Sequence, residues 1–236
     1  MIENVFANLS LAETHGDLVR NIVSLRVSED IFDDLSDDPA AFQSAINLEI
    51  ETKPPPFESS IPIIDRPFEE SIWNEAIGYP FTNWMRSRYS DGSFGVWYGA
   101  DSVETTIYET AHHWKTGLLA DAGFLEPGVK IERRIYNVRC DAALIDLRPA
   151  VADFPSLRDS VDYTLTQQIG ARLHREGHPG LTSKSARCPD GDVYAVLNPR
   201  VLRDPRLACW LTYTITKQGI EVERTPGTVL LLIQDM

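Results

Sequence analysis

The chain is 236 residues long, 43% hydrophobic and 24% charged, with a formal net charge of −13. Those proportions are ordinary for a globular protein, and no apolar run approaches the roughly 20 residues needed to span a bilayer. The acidity argues against direct nucleic-acid binding, which takes a basic surface, and it obliges any anionic substrate to find a local positive pocket.

Glu3 stands where a signal peptide would be basic, and no long apolar stretch follows it. Cys140, Cys188 and Cys209 are widely spaced and form no paired motif, as expected of reduced thiols. The expected setting is cytoplasmic, away from membranes.

Taken in order, residues 1–53 read as an acidic helical extension. One helical pattern begins at Asp17 and runs through Val23, and a short one covers Glu29 to Leu35. Asp38-Pro39 opens a third that continues to Ile50, because proline suits the first helical turn. Pro54-Pro55-Pro56 then stiffens the chain into an extended linker and marks the boundary with a main domain over 57–236. Ile61 to Ile64 reads as extended, and Phe68 to Ile77 as a helix.

The most informative stretch is Arg86 to Trp114. Arg86-Ser87-Arg88-Tyr89-Ser90 and Phe94-Gly95-Val96-Trp97-Tyr98-Gly99-Ala100 flank a turn at Asp91-Gly92-Ser93, the signal of a hairpin. Asp101-Ser102-Val103-Glu104 starts a helix, predicted to reach Leu118. On a helical wheel Val103, Ile107, Thr110, Ala111, Trp114 and Leu118 share one side, as a core-facing stripe should. Glu109 lies away from that stripe, with Thr106 and His113. On geometry alone that face reads as solvated; set opposite the strand arginine it would look into a cleft. The wheel does not choose.

Strands are expected at Lys130 to Val138 and Ala142 to Leu147, and a long helix over Ser156 to Glu176 through Leu157, Val161, Leu165, Ile169 and Leu173. Further strands follow at Gly180 to Ser185, Val193 to Leu197, Ala208 to Thr216, Ile220 to Glu223 and Val229 to Ile233. Strands and helices interleave without regular alternation, so the fold class is α+β rather than a doubly wound sheet.

No Gly-x-Ser-x-Gly elbow, phosphate loop or dinucleotide fingerprint is present. His174 and His178, with His112, His113 and Cys188, would have to supply any zinc site. The first pair straddles a helix end, where cations meet the last carbonyls, and that structural role is favoured over a metal. Arg88 and Glu109 say more. A strand arginine needs an anionic partner, either a protein carboxylate or a substrate phosphate gripped by the guanidinium fork. A carboxylate near a sugar ring stabilises the positive charge that grows as a glycosidic bond breaks. With Tyr98 between them, the two suit a nucleotide-sugar substrate.

The order Arg88-Tyr89-Ser90, Tyr98-Gly99-Ala100, Thr106-Ile107-Tyr108-Glu109, Ser183-Lys184-Ser185-Ala186-Arg187 and Leu197-Asn198-Pro199 resembles the RES-domain toxins over roughly residues 57 to 205. That family is named for an arginine, a glutamate and a serine. The resemblance implies mixed and antiparallel sheets forming an ADP-ribosyltransferase-like cleft, with NAD as substrate and no further cofactor or metal. It implies cleavage of the nicotinamide–ribose bond with water or phosphate as acceptor, and a protein antitoxin, often of the Xre type, that covers the site. Arg88, Tyr98, Glu109 and Ser185 match the family's positions. Arg86 precedes Arg88 where the family often has glycine nearby, and so becomes a second candidate for the anion site. Lys184 stands where proline often precedes the serine. ADP-ribosyl transfer to a macromolecule and a non-catalytic binding module are the alternatives, and the sequence leaves a homo-oligomer open.

Overall fold

The computed structural model describes residues 2–7, 9–24, 44, 71–119 and 126–234. A short helix α1 (Ile2–Phe6) leads into β1 (Ser10–Val23). A helical segment containing a π-turn (Asn74–Gly78) ends in α2 (Tyr79–Thr82) and is followed by β2 (Trp97–Ala100) and helix α3 (Val103–His113), which continues into a π-turn at Trp114–Leu119. Then come the long strand β3 (Lys130–Asp146), helix α4 (Thr164–Arg175), β4 (Gly180–Lys184), β5 (Asp192–Val196), β6 (Leu202–Thr216), β7 (Gly219–Thr225) and β8 (Thr228–Ile233).

All eight strands belong to one sheet, ordered β1-β2-β5-β4-β3-β6-β7-β8, and β3 also pairs with β1. The first five strands of that order therefore close into a ring. Every pairing is antiparallel except β3 with β4, where Ile145 and Asp146 meet Leu181 and Thr182. The fold is α+β, with a large, mostly antiparallel sheet and few helices.

β1 corrects the helical reading of Asp17 to Val23: these residues run antiparallel to Arg133–Arg139 in a ladder that extends from Ser10↔Asp146 to Val23↔Arg133. The error has a physical cause. Leu18 and Val19 are both buried, one on each face of the strand, in different cores. A strand apolar on both sides loses its two-residue alternation, and the Leu-Val…Ile-Val spacing then mimics a helix. The other helical expectations in the N-terminal stretch, the triple-proline linker and the extended Ile61–Ile64 segment fall outside the described residues, Ser44 apart, which is helical. Of the helix expected over Phe68 to Ile77, residues 71–77 are described and helical.

β3 joins two expected strands. Cys140, Ala142 and Leu144 continue the buried face of Tyr136 and Val138, while Arg139 and Asp141 pair with one another on the other face, 3.3 Å apart. The polar residues that suggested a break are the outward half of a two-residue period.

The long helix expected from Ser156 is divided. A 3-10 turn (Pro155–Arg158) comes first, and Val161 is 84% exposed although it falls in phase with the apolar stripe. The Asp159 carboxylate accepts from the N–H groups of Val161 and Asp162, both at 2.8 Å, and Asp162 accepts from Thr164 at 2.9 Å. These local bonds hold the backbone out of the helix until Thr164.

The hairpin expectation is corrected as well. Ser87 and Ser90 bridge across a tight turn of their own, and β2 pairs instead with β5 and, through Ala100, with β1. The Ser90 hydroxyl closes the following loop, donating to the Phe94 carbonyl at 2.7 Å.

Three buried clusters build the interior. α1 and α4 cover one, around Tyr89, Leu147, Ile169 and Leu181. α3 covers a second with Ile107, Ala111 and Trp114 against Leu211, Tyr213 and Val222 of the last strands. The π-turn segment covers the third with Ala76 and Ile77 against Trp97, whose indole N–H donates to the Ala76 carbonyl at 2.8 Å. Arg88 adjoins Tyr89 of the first cluster and Glu109 lies two residues beyond Ile107 of the second, so rigid packing anchors both.

Candidate active site

Helix α3 carries Glu109. Its start is fixed by the cap residue Ser102, whose hydroxyl accepts from the Thr105 N–H at 3.1 Å. Its rotation is fixed from behind. Asn21 of β1 lies within hydrogen-bond distance of the Thr106, Thr110 and Tyr213 hydroxyls, at 3.2, 3.3 and 3.0 Å. Thr106 and Thr110 donate their own protons to the Val103 and Thr106 carbonyls, both at 2.7 Å, which leaves their lone pairs to accept from Asn21. Thr110, expected in the apolar stripe, thus serves a buried polar seam.

The front of the helix meets the loop after β4. The Ser185 hydroxyl donates to Glu109 Oε1 at 2.5 Å, and the Ala186 N–H reaches the same oxygen at 3.2 Å. Ser185 is fully buried and its oxygen accepts two backbone N–H groups, from Arg187 at 3.0 Å and Cys188 at 2.8 Å. With its lone pairs occupied, its proton has one direction to point. A short O–H···O⁻ bond of this kind is charge-assisted and strong. Both contacts fall on Oε1, and among the described residues no hydrogen bond reaches Oε2. Glu109 is half-buried, not fully solvated.

The Ser185 loop is itself tied down. Its N–H donates to the Gly191 carbonyl at 2.8 Å, and a side chain at Gly191 would lie 2.4 Å from the Thr105 hydroxyl, so the loop packs directly on the first turn of α3. At its two ends the Lys184 ammonium lies 2.7 Å from Asp192, and Arg148 bridges Asp192 and Asp146 at 2.8 Å each. The hydrogen bonds from Arg148 hold the Asp146 carboxyl below its ordinary range.

Arg88 sits in the 87–90 turn, which α4 grips. Gln167 donates to the Ser87 and Ser90 carbonyls at 2.8 and 3.2 Å, and any side chain at Gly170 would fall 1.9 Å from the Tyr89 carbonyl. The Tyr98 hydroxyl accepts from the Tyr89 N–H at 3.0 Å and donates to Ser87 at 2.9 Å. Burial pushes the Tyr98 phenol well above its usual range. Tyr98 is therefore a clamp on the two residues that flank Arg88. The guanidinium donates to the carbonyls of Asp159 at 2.8 Å and Leu157 at 3.4 Å and lies over the Tyr163 ring at 4.5 Å. It makes no salt bridge among the described residues, and its second terminal nitrogen is buried without a hydrogen-bond partner.

Arg86 is exposed. His112 is half-buried, and its imidazole is lowered to about 4, chiefly by burial and then by the positive charges of Arg187 and His113. Of the other histidines weighed, His174 stacks on Phe94 with centroids 4.3 Å apart and His178 lies 3.5 Å from Glu176. No group of three or more His, Cys, Asp or Glu among the described residues is arranged to hold a metal ion. All three cysteines are free thiols.

Sequence reasoning passed over Asn21, Gln167, Gly170 and Asp192. Asn21, Gln167 and Gly170 are single polar or small residues whose partners lie far along the chain, while Asp192 also pairs with nearby Lys184. Only the Lys184 and Asp192 charges, flanking the serine loop, were visible as a signal.

The RES-domain family model matches residues 64–216, which covers Arg88, Tyr98, Glu109 and Ser185; the chain belongs to the RES-domain family. No curated protein matches it. Among solved structures it is similar to a chain of the M. tuberculosis MbcT-MbcA toxin-antitoxin complex, at 14% identity and a TM-score of 0.44, over 89% of this chain and 90% of that one.

Proposed function

We propose that the chain is a toxin-type enzyme that degrades NAD by breaking the bond between nicotinamide and ribose, with water or phosphate as acceptor. Membership of the RES-domain family supports this, and one observation carries it: the Glu109 carboxylate is held by Ser185 and Ala186 through one oxygen, in a site that also presents a guanidinium without a carboxylate partner.

The chemistry asks little beyond placement. The C–N bond breaks with its electron pair passing to nicotinamide, which leaves neutral from a cationic ring, so no strong acid is needed. Positive charge grows on the ribose, and a carboxylate already fixed in place stabilises it without reorganising. The acceptor oxygen then bonds to the ribose carbon and releases its proton. Arg88 grips the pyrophosphate, a charge-assisted contact worth about 1.5–3 kcal/mol. Tyr98 holds the turn that aims Arg88. Ser185 orients Glu109 and is not a nucleophile: its proton is committed to Glu109 and two N–H groups fill its lone pairs. On the family resemblance the chain would work with a protein antitoxin, and the expected setting is cytoplasmic.

The test is direct. Purified protein incubated with NAD releases nicotinamide, and Glu109→Gln lowers the rate about a hundredfold with an unchanged circular-dichroism spectrum. Mass analysis reads the acceptor as free ADP-ribose, its 1-phosphate, or mass added to a protein. NAD left intact by the wild-type chain in water, in phosphate and with acceptor proteins sinks the proposal.

A further inference from the structure

One arginine beside this site has no role in the chemistry above. Arg187 follows the Ser185-Ala186 pair, and its backbone N–H is one of the two that fix the Ser185 hydroxyl. Its guanidinium donates to the Ser160 carbonyl at 2.7 Å. The adjacent carbonyl, that of Asp159, is the one that holds Arg88 at 2.8 Å. Two guanidiniums, one from the turn before β2 and one from the loop after β4, thus converge on consecutive peptide groups of one strap.

Neither arginine forms a salt bridge among the described residues, in a chain whose net charge is −13. Each has a buried nitrogen that donates to nothing: a terminal nitrogen of Arg88 and Nε of Arg187. Five donors on each side chain exceed what the strap carbonyls accept. Like charges held together repel. The Asp159 carboxylate lies in the field of both guanidiniums yet forms an ion pair with neither among the described residues, so two converging forks are left with donors to spare, as a site for an incoming anion requires.

We infer that Arg187 and Arg88 form a two-guanidinium clamp for the diphosphate of a dinucleotide, with Arg187 as a substrate-binding residue on the Glu109 side. The inference rests on the proposed NAD reading for its ligand and goes beyond it in assigning Arg187. Two singly charged phosphates matched by two forked cations suit a diphosphate better than a single phosphate. The strap carbonyls keep both forks turned the same way before the ligand arrives, which lowers the ordering cost of binding.

The experiment measures binding apart from turnover, on the full chain, with ADP-ribose and inorganic pyrophosphate as probes. Arg187→Ala is expected to weaken both at least tenfold and to raise KM for NAD more than it lowers kcat. Arg187→Lys should recover part of the loss, and Arg200→Ala, at an exposed arginine, should match wild type. Equal melting temperatures show that the clamp, not the fold, has been lost. Wild-type affinity for pyrophosphate in Arg187→Ala overturns the inference, as does unchanged KM in a variant that still cleaves NAD. Tight pyrophosphate binding by a wild-type chain that leaves NAD intact upholds the clamp and overturns the reaction instead.

Discussion

Helix α3 has two polar faces, and their arginines behave in opposite ways. Behind it, Arg133 is 6% exposed and donates through Nε to Asn21 Oδ1 at 2.5 Å and through a terminal nitrogen to the Asn21 carbonyl at 3.3 Å, with the Tyr213 ring 5.6 Å away. None of its buried nitrogens lacks a partner among the described residues. In front, Arg88 and Arg187 rest on backbone carbonyls with donors to spare. None of the three pairs with a carboxylate among the described residues. A saturated arginine is part of the scaffold; an unsaturated one beside a fixed carboxylate is available to a ligand. For these three arginines, counting donors against acceptors draws a line that residue type and charge do not.

The comparison breaks most visibly under mutation of its central residues. Asn21→Leu removes the side-chain acceptor of a buried cation, leaving it the backbone carbonyl, and leaves the Thr106, Thr110 and Tyr213 hydroxyls short of a donor. Leaving a buried charged donor without its partner costs about 1–3 kcal/mol or more, so the urea midpoint should fall steeply. Arg88→Ala should barely move that midpoint yet weaken NAD binding by about 1.5–3 kcal/mol, roughly ten- to a hundredfold in KM. If Arg88→Ala unfolds the chain as readily as Asn21→Leu, the front arginine is scaffold too.

A smaller effect sharpens the same contrast. Tyr98→Phe removes the hydroxyl that ties the Tyr89 N–H to Ser87 and leaves that N–H unpaired. The expected cost is about 1 kcal/mol of stability. Because the loss falls on the turn carrying Arg88, KM should rise while kcat changes less. A fall in kcat with KM intact would show instead that Tyr98 acts on the reacting end of the substrate.

Some of this architecture was legible in advance. β4 to β8 show alternation or compact apolar runs between turns, and α3 shows a serine beside its first turn and a clean apolar stripe. What failed did so where two periods coincide. β1 is buried on both sides and imitates a helix, and Leu157 and Val161 fall in phase with a helix that begins only at Thr164. Arg88 and Glu109 were picked out by chemistry and Ser185 by family resemblance alone, and the bond between Ser185 and Glu109 spans 76 residues that no local pattern encodes. The supports of the site, Asn21 and Gln167, are lone polar residues whose meaning lies wholly in their distant partners.

The least effect tests the field in front of the helix. His112 is lowered to about 4 by burial and then by Arg187 and His113, with Arg88 adding a smaller push and Glu109 opposing it. An unfolded chain returns the imidazole to its ordinary value near 6.5. Between about pH 4 and 6.5 the unfolded state therefore binds more protons, and stability rises with pH across that window. Above it the folded and unfolded states carry the same uncharged imidazole and the dependence ends. Melting temperatures taken from pH 4.5 to 7 should climb less steeply in His112→Gln than in wild type. Arg187→Ala should also flatten the climb, by removing part of the positive field and letting the folded imidazole hold its proton to higher pH. Identical slopes in all three proteins would mean that the guanidinium does not act at His112, and the positive front face would shrink to Arg88 alone.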